Sequence, residues 1–294
     1  MVLCSIHLIA LKEGTTPPTL LSSLHQAGIN PIVQARVFRW MILPKELSAG
    51  HLLARNIRWD MLLVLSTDEP SIAPSLRQSS IAAEWTATVG TSARLLAGYA
   101  ALNAQLLHPA PGTVPPATLD LAAAAQSDSS QKNLELTPEL ADFVATLPAR
   151  LRSHPVSMLN LIAFNPGKQP EYVKYGQEFS ARVGARYGGR VKIVGKVTSS
   201  GAGGGGGRGE HDSAAAAEKT RQEKRQEAGW DEIAFVHYPS IAHFASMAGD
   251  KDYQDVNQKY RLGALRDTFI ICALEITDDG EVVGGAKNEN KVKL

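Results

Sequence analysis

The feature that most constrains the fold of this 294-residue chain is a weak internal repeat. Three short segments of the first half recur in the same order in the second half. They pair Leu8-Ile9-Ala10-Leu11 with Leu161-Ile162-Ala163-Phe164, Trp59-Asp60 with Trp230-Asp231, and Ser71-Ile72-Ala73 with Ser240-Ile241-Ala242. The offset changes from 153 to 171 residues between the first two pairs, as an insertion there would produce. We infer an internal duplication, whose two copies usually pack about a pseudo-twofold axis.

Two stretches of low complexity divide the chain. Four prolines between positions 109 and 116 lead into an alanine run and a polar stretch, which predicts a linker over residues 109–136. A glycine run and an evenly charged run without an apolar face predict a loop insertion over residues 199–228. The predicted units are therefore residues 1–108 and residues 137–294.

The second unit has the element order β-α-β-β-α-β. Tyrosine and phenylalanine at helical spacing predict a helix over 169–187 that ends at Gly188, and Ser240 precedes a second helix. The four predicted strands are the apolar runs 156–164, 233–238 and 268–276 and an alternating run, 190–197, with one wet face. This is the order of a ferredoxin-like fold, whose helices cover one sheet face. The other face must be covered by a second sheet.

Six short motifs are spread through the second unit. They are Met158-Leu159-Asn160-Leu161, Tyr172 with Tyr175, Gly188-Gly189-Arg190, Trp230-Asp231, Tyr238-Pro239-Ser240 and Tyr253-Gln254. With these motifs, residues 156–276 resemble the dimeric α/β-barrel superfamily and, within it, a widespread branch whose domain has no assigned function. The whole chain is similar to uncharacterised two-domain fungal proteins. The first unit keeps the strand pattern and Trp59-Asp60 but lacks the Gly-Gly-Arg and Pro-Ser motifs, as a diverged copy would.

The resemblance implies an α+β fold in which two tandem ferredoxin-like halves form one pseudo-dimeric α/β barrel within the chain. The superfamily includes cofactor-free monooxygenases, lactone isomerases, haem-binding enzymes and proteins without known activity, so the fold alone selects no reaction. We expect a small-molecule-binding barrel protein that acts as a cofactor-independent monooxygenase or isomerase of an aromatic or lactone-like metabolite. The alternatives are a non-catalytic binding or scaffold protein whose barrel is filled by its own side chains, and a haem-binding barrel enzyme.

Two polar residues on adjacent strands form the candidate catalytic pair. Alternation places Asn160 on one side of its strand with Met158 and Ile162, and places His237 on one side of its strand with Phe235. Since the two strands are neighbours in this fold, Asn160 and His237 are predicted to meet in one apolar pocket inside the barrel. There His237 would move a proton and Asn160 would stabilise an oxyanion. The alternative is a hydrogen-bonded buried pair with a structural role.

The candidate substrate-binding residues are aromatic, basic or polar. They are Tyr172, Arg190, Tyr253, Tyr260, Arg261 and His7. His7 occupies the position in the first unit that Asn160 has in the second, and an arginine could hold an anionic ligand group. The alternatives are tyrosines that only pack a helix on the sheet and arginines that pair with surface aspartates.

The repeated Trp-Asp pairs are interpreted as structural. Each tryptophan would cover a barrel end, and each aspartate would accept backbone hydrogens. Cys4 and Cys272 lie on predicted strands, which indicates buried, inert thiols.

Several other functions are excluded by composition and motif. The 30 basic and 29 acidic residues leave a formal charge of +1, so no net field favours nucleic acid or an anionic membrane. The glycine run satisfies the dinucleotide-binding pattern only trivially, and the histidines lack zinc-ligand spacing. No cofactor is predicted, although His237, His243 or His7 would be available as an axial ligand of haem.

The sequence also predicts where the protein is located in the cell and whether it forms oligomers. The first residues have no basic signal region, and no apolar run approaches the length needed to span a bilayer, which predicts a cytoplasmic protein. Duplication makes a second chain unnecessary for closing the barrel but does not forbid one. The expected state is therefore a monomer with an internal pseudo-dimer, or a homodimer.

Overall fold

The computed structural model describes residues 1–53, 57–118, 134–202 and 229–284. Most of the predicted linker, 119–133, and most of the predicted insertion, 203–228, lie outside the described residues. The ends of the linker that are described pack on the second unit. Leu136 is buried, and the Pro115 carbonyl accepts a hydrogen bond from Nε2 of His243 at 2.8 Å.

Eight antiparallel strands close into a barrel in the described part of the chain. They are β1 (Val2–Leu11), β2 (Val33–Ile42), β3 (Met61–Ser66), β4 (Ile81–Thr91), β5 (Val156–Phe164), β6 (Arg190–Ala202), β7 (Glu232–Tyr238) and β8 (Leu265–Glu275). Their order around the barrel is β1-β3-β2-β8-β5-β7-β6-β4, and β4 returns to pair with β1. The fold therefore combines helices with a closed eight-stranded antiparallel barrel.

The order of neighbours is the same in the first four strands as in the last four. The first set runs β4-β1-β3-β2 and the second runs β8-β5-β7-β6. The two sets meet twice, where β2 pairs with β8 and where β4 pairs with β6. The strands predicted in the second unit are all present, and β5 has the predicted bounds.

The helices lie in the segments that connect these strands. They are α1 (Pro17–Gln26), α2 (Ala49–Leu52), α3 (Pro74–Ser80), α4 (Ala93–Leu107), α5 (Pro138–Thr146), α6 (Ala149–Arg152), α7 (Gln169–Glu178), α8 (Ile241–Ala248) and α9 (Lys251–Val256). The helix predicted over 169–187 is confirmed, and its second half winds as a π turn and then a 3₁₀ turn. It ends at Gly188, whose φ of +67° is a left-handed conformation that favours glycine. None of the described helices is both long and apolar enough to cross a membrane.

The barrel interior is filled by side chains from all eight strands. Among its members that are at most 1% exposed, the largest are Trp85, Phe235 and Phe269. Cys4 belongs to this interior cluster, and burial raises the pKa of its thiol to about 11, as expected for an inert cysteine. The interior is thus a packed core in the described residues.

Two further apolar clusters lie outside the barrel, between the sheet and the helices. One packs α1 and α3 on the outer side of β1 and β3, and the other packs α5, α7, α8 and α9 on the outer side of β5, β7 and β8. Cys272 lies in the second of these clusters and is fully buried, as predicted. Five of the strands, β1, β3, β5, β7 and β8, therefore bury both of their faces over much of their length.

A bulge corrects the prediction for β6. The pairing with β7 shifts register between Val191 and Ile193, which leaves Lys192 as the extra residue. Val191 consequently lines the helix side of the sheet, whereas Ile193 belongs to the barrel interior. The prediction that β6 has one solvent-exposed face and one apolar face is wrong, because the bulge reverses which side of the sheet each later residue faces.

The two aspartates of the repeated Trp-Asp pairs have equivalent contacts, and the two tryptophans are both buried and hydrogen-bonded. A carboxylate oxygen of Asp60 accepts from the Leu11 amide at 2.8 Å, and one of Asp231 accepts from the Phe164 amide at 2.7 Å. The indoles of Trp59 and Trp230 are buried, and they donate to the Leu52 carbonyl and to Oγ of Ser48 respectively. These contacts confirm the structural interpretation of both pairs.

Replacing Asp60 or Asp231 with alanine is expected to lower the free energy of unfolding by roughly 1–2 kcal/mol in each case, because a charged acceptor of a backbone hydrogen is lost. The double variant should lose the sum to within about 0.5 kcal/mol, since the two carboxylates bond different strands. Urea unfolding of the three variants measures this. The corresponding Asp→Asn variants keep an acceptor oxygen, so their free energy of unfolding should fall by less.

Candidate functional site

A cavity of about 180 Å³ lies between the outer face of the sheet and the helices of the second half. Its floor is formed by β5, β6 and β7, and its roof by α7 and by the segment that follows α9. Its lining includes the polar side chains of Asn160, Tyr172, Tyr175, Glu232, Tyr238 and Arg261. The cavity lies outside the barrel, whereas the sequence predicted a pocket inside it.

Arg261 provides a positive charge in this cavity. It is 2% exposed and lies in the π turn that continues α9, where its guanidinium donates to Oδ1 of Asn257 at 3.3 Å. Burial alone would lower the pKa of Arg261, but neighbouring phenols, including a hydrogen bond with Tyr172, outweigh burial and raise it. Arg261 is therefore charged at neutral pH. The alternative of an arginine that pairs with a surface aspartate does not hold for Arg261, because this residue is buried.

The tyrosines of the cluster remain protonated at neutral pH. Burial raises the pKa of Tyr172 and of Tyr175, and it also raises that of Tyr238 well above its ordinary value. The rings of Tyr172 and Tyr175 lie 5.2 Å apart, as their helical spacing predicts. Tyr253 is buried behind them and shares a hydrogen bond of 3.3 Å between its hydroxyl and that of Tyr175. The phenols thus supply neutral hydrogen-bonding groups around Arg261.

Glu232 is a functional candidate that the sequence analysis missed. It lies at the start of β7 on the helix side of the sheet, one residue after the structural Asp231. Burial raises the pKa of Glu232 above its ordinary value, although a hydrogen bond with Gln169 and the charge of Lys196 oppose this. A carboxyl of raised pKa in a cavity can exchange a proton with a ligand. The signal that would have found it is its shared side with Ala234 and Val236.

Asn160 lines the cavity, but it presents its amide oxygen there and not the NH₂ group that was predicted to contact the ligand. Its amide NH₂ donates to the carbonyls of Met158 and Ala234, at 3.1 Å each. Since an amide oxygen would be repelled by two carbonyl oxygens, this orientation is fixed. Asn160 therefore offers an acceptor oxygen, which suits a ligand hydroxyl, and the predicted stabilisation of an oxyanion by its NH₂ does not fit this arrangement.

His237 does not meet Asn160. The register of β5 and β7 sets Asn160 opposite Ala234 and sets Ser157 opposite His237, so the two predicted catalytic residues lie on opposite faces of the sheet. His237 points into the barrel, is 2% exposed and has an Nδ1 atom without a hydrogen-bond partner. Burial, with the charges of Lys192 and His243, lowers the pKa of His237 to about 3. The predicted convergence is wrong, and His237 is a neutral core residue.

The remaining predicted binding residues lie outside the cavity. Arg190 is exposed at the first position of β6. Tyr260 is half-buried, and the Lys259 amine lies 5.0 Å from its ring centre. His7 lies on the outer face of the first half, where Asn160 lies in the second, so the predicted equivalence of their positions agrees with the register.

The histidines proposed as haem ligands do not fit that role. Both ring nitrogens of His7 and both of His243 are already hydrogen-bonded, and His237 faces a packed interior. An axial ligand needs a nitrogen directed at the space that the haem would occupy. Within the described ranges, no group of three or more metal-ligating side chains comes together either.

Comparison with known proteins adds no assignment: no family model matches the chain, and no curated protein is significantly similar to it.

Proposed function

We propose that the protein binds a small cyclic metabolite in the cavity beside Arg261 and acts on it without a cofactor, by resemblance as a monooxygenase or an isomerase. The observation that carries this proposal is a buried guanidinium and a carboxyl of raised pKa on the walls of one cavity. Tyr172 is close enough to both groups for each charge to act on its hydroxyl.

The size of the cavity limits the ligand. A protein cavity of about 150 Å³ holds one benzene molecule. The cavity of about 180 Å³ therefore suits one aromatic or lactone ring with a small substituent. The ring faces of Tyr172 and Tyr175 supply the flat, apolar surface that such a ligand prefers.

The charges of the cavity favour an anionic substituent. A carboxylate or phenolate placed against Arg261 would gain a charge-assisted hydrogen bond, which is roughly twice as strong as a neutral one. The phenols nearby donate further hydrogen bonds because they remain protonated. The oxygen of Asn160 would accept from a ligand hydroxyl on the sheet side.

Glu232 would supply the acid–base chemistry. Both cofactor-free oxygenation of a phenol and isomerisation of an unsaturated lactone begin with removal of a proton from the ring or its hydroxyl. A carboxylate with a raised pKa is a stronger base than an ordinary one. In this proposal Glu232 takes that proton, and Arg261 stabilises the negative charge that remains on the ligand oxygen.

The proposal includes the architecture that the resemblance implies. We propose that residues 1–108 and 137–294 are two tandem ferredoxin-like halves, which together form the barrel as two chains of a dimer would. The repeated strand order and the equivalent contacts of Asp60 and Asp231 support it. In this view only the second half keeps the cavity, since its helices carry the tyrosines and Arg261.

Filling the cavity from Gly176 is expected to weaken binding without disturbing the fold. Gly176 lines the cavity from α7, and a Cβ built there meets no heavy atom within 4 Å. Isothermal titration with 4-hydroxybenzoate and with uncharged phenol tests this. We expect the anion to bind more tightly than phenol, and Gly176→Leu to weaken its binding by at least about tenfold. Gly176→Ala is the matched control, which should still bind and should gain roughly 0.5–1 kcal/mol of helix stability.

A reaction readout separates binding from catalysis. Isomerisation of a simple butenolide moves one proton along the ring, and NMR in D₂O follows it directly. Glu232→Gln should slow this reaction by about a hundredfold or more while it leaves the affinity for 4-hydroxybenzoate within a few-fold. Equal rates in the two proteins would remove Glu232 from the mechanism.

A non-catalytic binding or scaffold protein is the second candidate. The observation that favours it is the barrel interior, which is packed with large side chains as that hypothesis predicted. If neither probe binds to the wild-type protein, the cavity is not a ligand site of this class and the scaffold function is preferred.

A further inference from the structure

A second polar cluster lies on the outer face of the first half, away from the cavity. Nε2 of His7 lies 2.8 Å from Oγ of Ser5, and Nδ1 of His7 lies 2.7 Å from Oε1 of Glu84. Ser5 and His7 are two residues apart on β1, and Glu84 lies on the adjacent β4. Serine, histidine and carboxylate are therefore joined in the order of a hydrolytic triad, with each ring nitrogen of the histidine in its usual role.

The carboxylate fixes the tautomer of the histidine. Burial acts to raise the pKa of Glu84, but hydrogen bonds and charges from His7 and Arg77 outweigh burial and lower it. An ionised carboxylate only accepts, so Nδ1 of His7 must carry the proton. In the neutral ring Nε2 is then the acceptor, and it can take the proton of the Ser5 hydroxyl.

A fourth residue holds the carboxylate in place. Nε of Arg77 donates to Oε2 of Glu84 at 2.8 Å, and its Nη1 donates to the Ile72 carbonyl at 2.5 Å. Both oxygens of Glu84 are thus bonded, and its side chain is 2% exposed. His7 is buried between Glu84 and Ser5, whereas Ser5 is partly exposed. The base is therefore preorganised, and the serine that it serves is partly exposed.

We propose that Ser5, His7 and Glu84 form a second active site, in which Ser5 is the nucleophile toward small carboxylic esters. Oγ of Ser5 attacks the ester carbonyl carbon while Nε2 of His7 takes its proton. The C–O bond to the leaving alcohol breaks, and that alcohol receives the proton from Nε2. Water then attacks the acyl-serine by the same two proton transfers, which releases the carboxylic acid and restores Ser5.

Thr88 is the candidate positioning residue for the oxyanion. It lies opposite Ser5 in the pairing of β1 with β4, so the two side chains share the outer face. In the proposed reaction its hydroxyl would donate a hydrogen bond to the oxyanion. This inference does not depend on the proposed cavity, which lies in the other half of the molecule.

A serine-directed fluorophosphonate tests the nucleophile. We expect the folded wild-type protein to be labelled on Ser5, as located by mass spectrometry of peptides, and to hydrolyse p-nitrophenyl acetate. Ser5→Ala should remove both the label and the hydrolysis. His7→Gln should slow labelling by about a hundredfold or more, because the general base is lost. Ser22→Ala, which removes an exposed hydroxyl from α1, is the matched control and should change neither rate.

Two results would overturn the proposal. One is a Ser5 labelling rate no higher in the folded protein than in the urea-unfolded protein. The other is a wild-type labelling rate that stays constant as the pH is lowered, since a protonated imidazole cannot accept the serine proton. This second measurement uses wild-type protein only, so the proposal stays falsifiable even if His7→Gln does not fold. Loss of binding in the Gly176→Leu variant bears only on the cavity.

Discussion

The wild-type protein is expected to lose roughly 3 kcal/mol more stability between pH 7 and pH 4 than its His237→Met variant. His237 lies in the barrel interior, and its pKa is lowered to about 3 by burial and by the charges of Lys192 and His243. The unfolded chain binds a proton at that histidine near pH 6.5, whereas the folded chain does not. Acid therefore favours the unfolded state of the wild type.

The sign and the pH window follow from these two pKa values. A folded-state pKa below the unfolded value gives a contribution that is fully present above about pH 6.5. It is lost as the pH falls from about 6.5 toward 3, and it changes no further below that. Methionine fills similar apolar space without a titratable group, so its own packing cost is the same at every pH.

Urea unfolding at several pH values between 4 and 8 measures the effect as a difference between the two pH profiles. His51→Gln replaces an exposed histidine and is the matched control, whose profile should follow that of the wild type. Parallel profiles for His237→Met and wild type would mean that His237 is solvated or protonated in the folded protein. In that case the interior near His237 would be open to water, which would revive the hypothesis of a site inside the barrel.

His237 also shows which feature of the site could not be predicted from the sequence. Alternation correctly grouped His237 with Phe235, and Asn160 with Met158. It could not say which side of each strand faces the barrel, because both faces of these strands are buried. The register, which pairs Asn160 with Ala234, decides that question. A register shift of one residue exchanges the two faces of a strand, so the hydrophobic pattern within a single strand cannot show which face points into the barrel.

Other parts of the site were predictable because a short-range rule governs them. The helical spacing of Tyr172 and Tyr175 places both on one side of α7, whatever the rest of the fold does. Arg261 was proposed by residue type, since a guanidinium can hold an anionic ligand group. Glu232 was missed because its raised pKa depends on burial by α7, which lies more than fifty residues earlier in the chain.

The strands themselves were predicted well where an apolar run was continuous, as in β5. The bulge in β6 was not predictable, because Val191-Lys192-Ile193 reads as ordinary alternation. Yet this bulge places Lys192 inside the barrel, where it bonds to Glu275. This buried charge pair therefore follows from an irregularity of strand pairing.

Replacing Lys192 with methionine is expected to lower the free energy of unfolding by about 3–5 kcal/mol. Lys192 is 0% exposed, and its amine bonds to Oε1 of Glu275 and, at 2.7 Å, to Oδ1 of Asn103. It also lies 4.8 Å from the ring centre of Phe235. Without the amine, the carboxylate of Glu275 would remain buried with its charge uncompensated.

Removing both charges should restore much of this loss. In the double variant Lys192→Met with Glu275→Gln, the amide oxygen of glutamine can take the place of Oε2 and accept from Asn103, as the carboxylate does at 2.6 Å. Its NH₂ group can take the place of Oε1 and donate to Oγ of Ser157, which lies 3.1 Å from that oxygen in the wild type. No buried charge is then left without a partner. We expect the double variant to be more stable than Lys192→Met alone by about 1–3 kcal/mol, which is the usual range of coupling for contacting residues.

Lys168→Met is the matched control, since Lys168 pairs with Glu171 at 2.5 Å on the surface, where both side chains are 40% exposed or more. Solvent screens such a pair, so its loss should cost no more than about 1 kcal/mol.

Chemical unfolding of the four proteins under one condition gives the comparison. If Lys192→Met costs no more than Lys168→Met, then water reaches Glu275 and the pair does not stabilise the barrel. If the single variant is strongly destabilised and the double variant recovers, the cost lies in the unpaired carboxylate. The bulge at Lys192 would then stabilise the barrel, because it places the amine that the buried carboxylate of Glu275 requires.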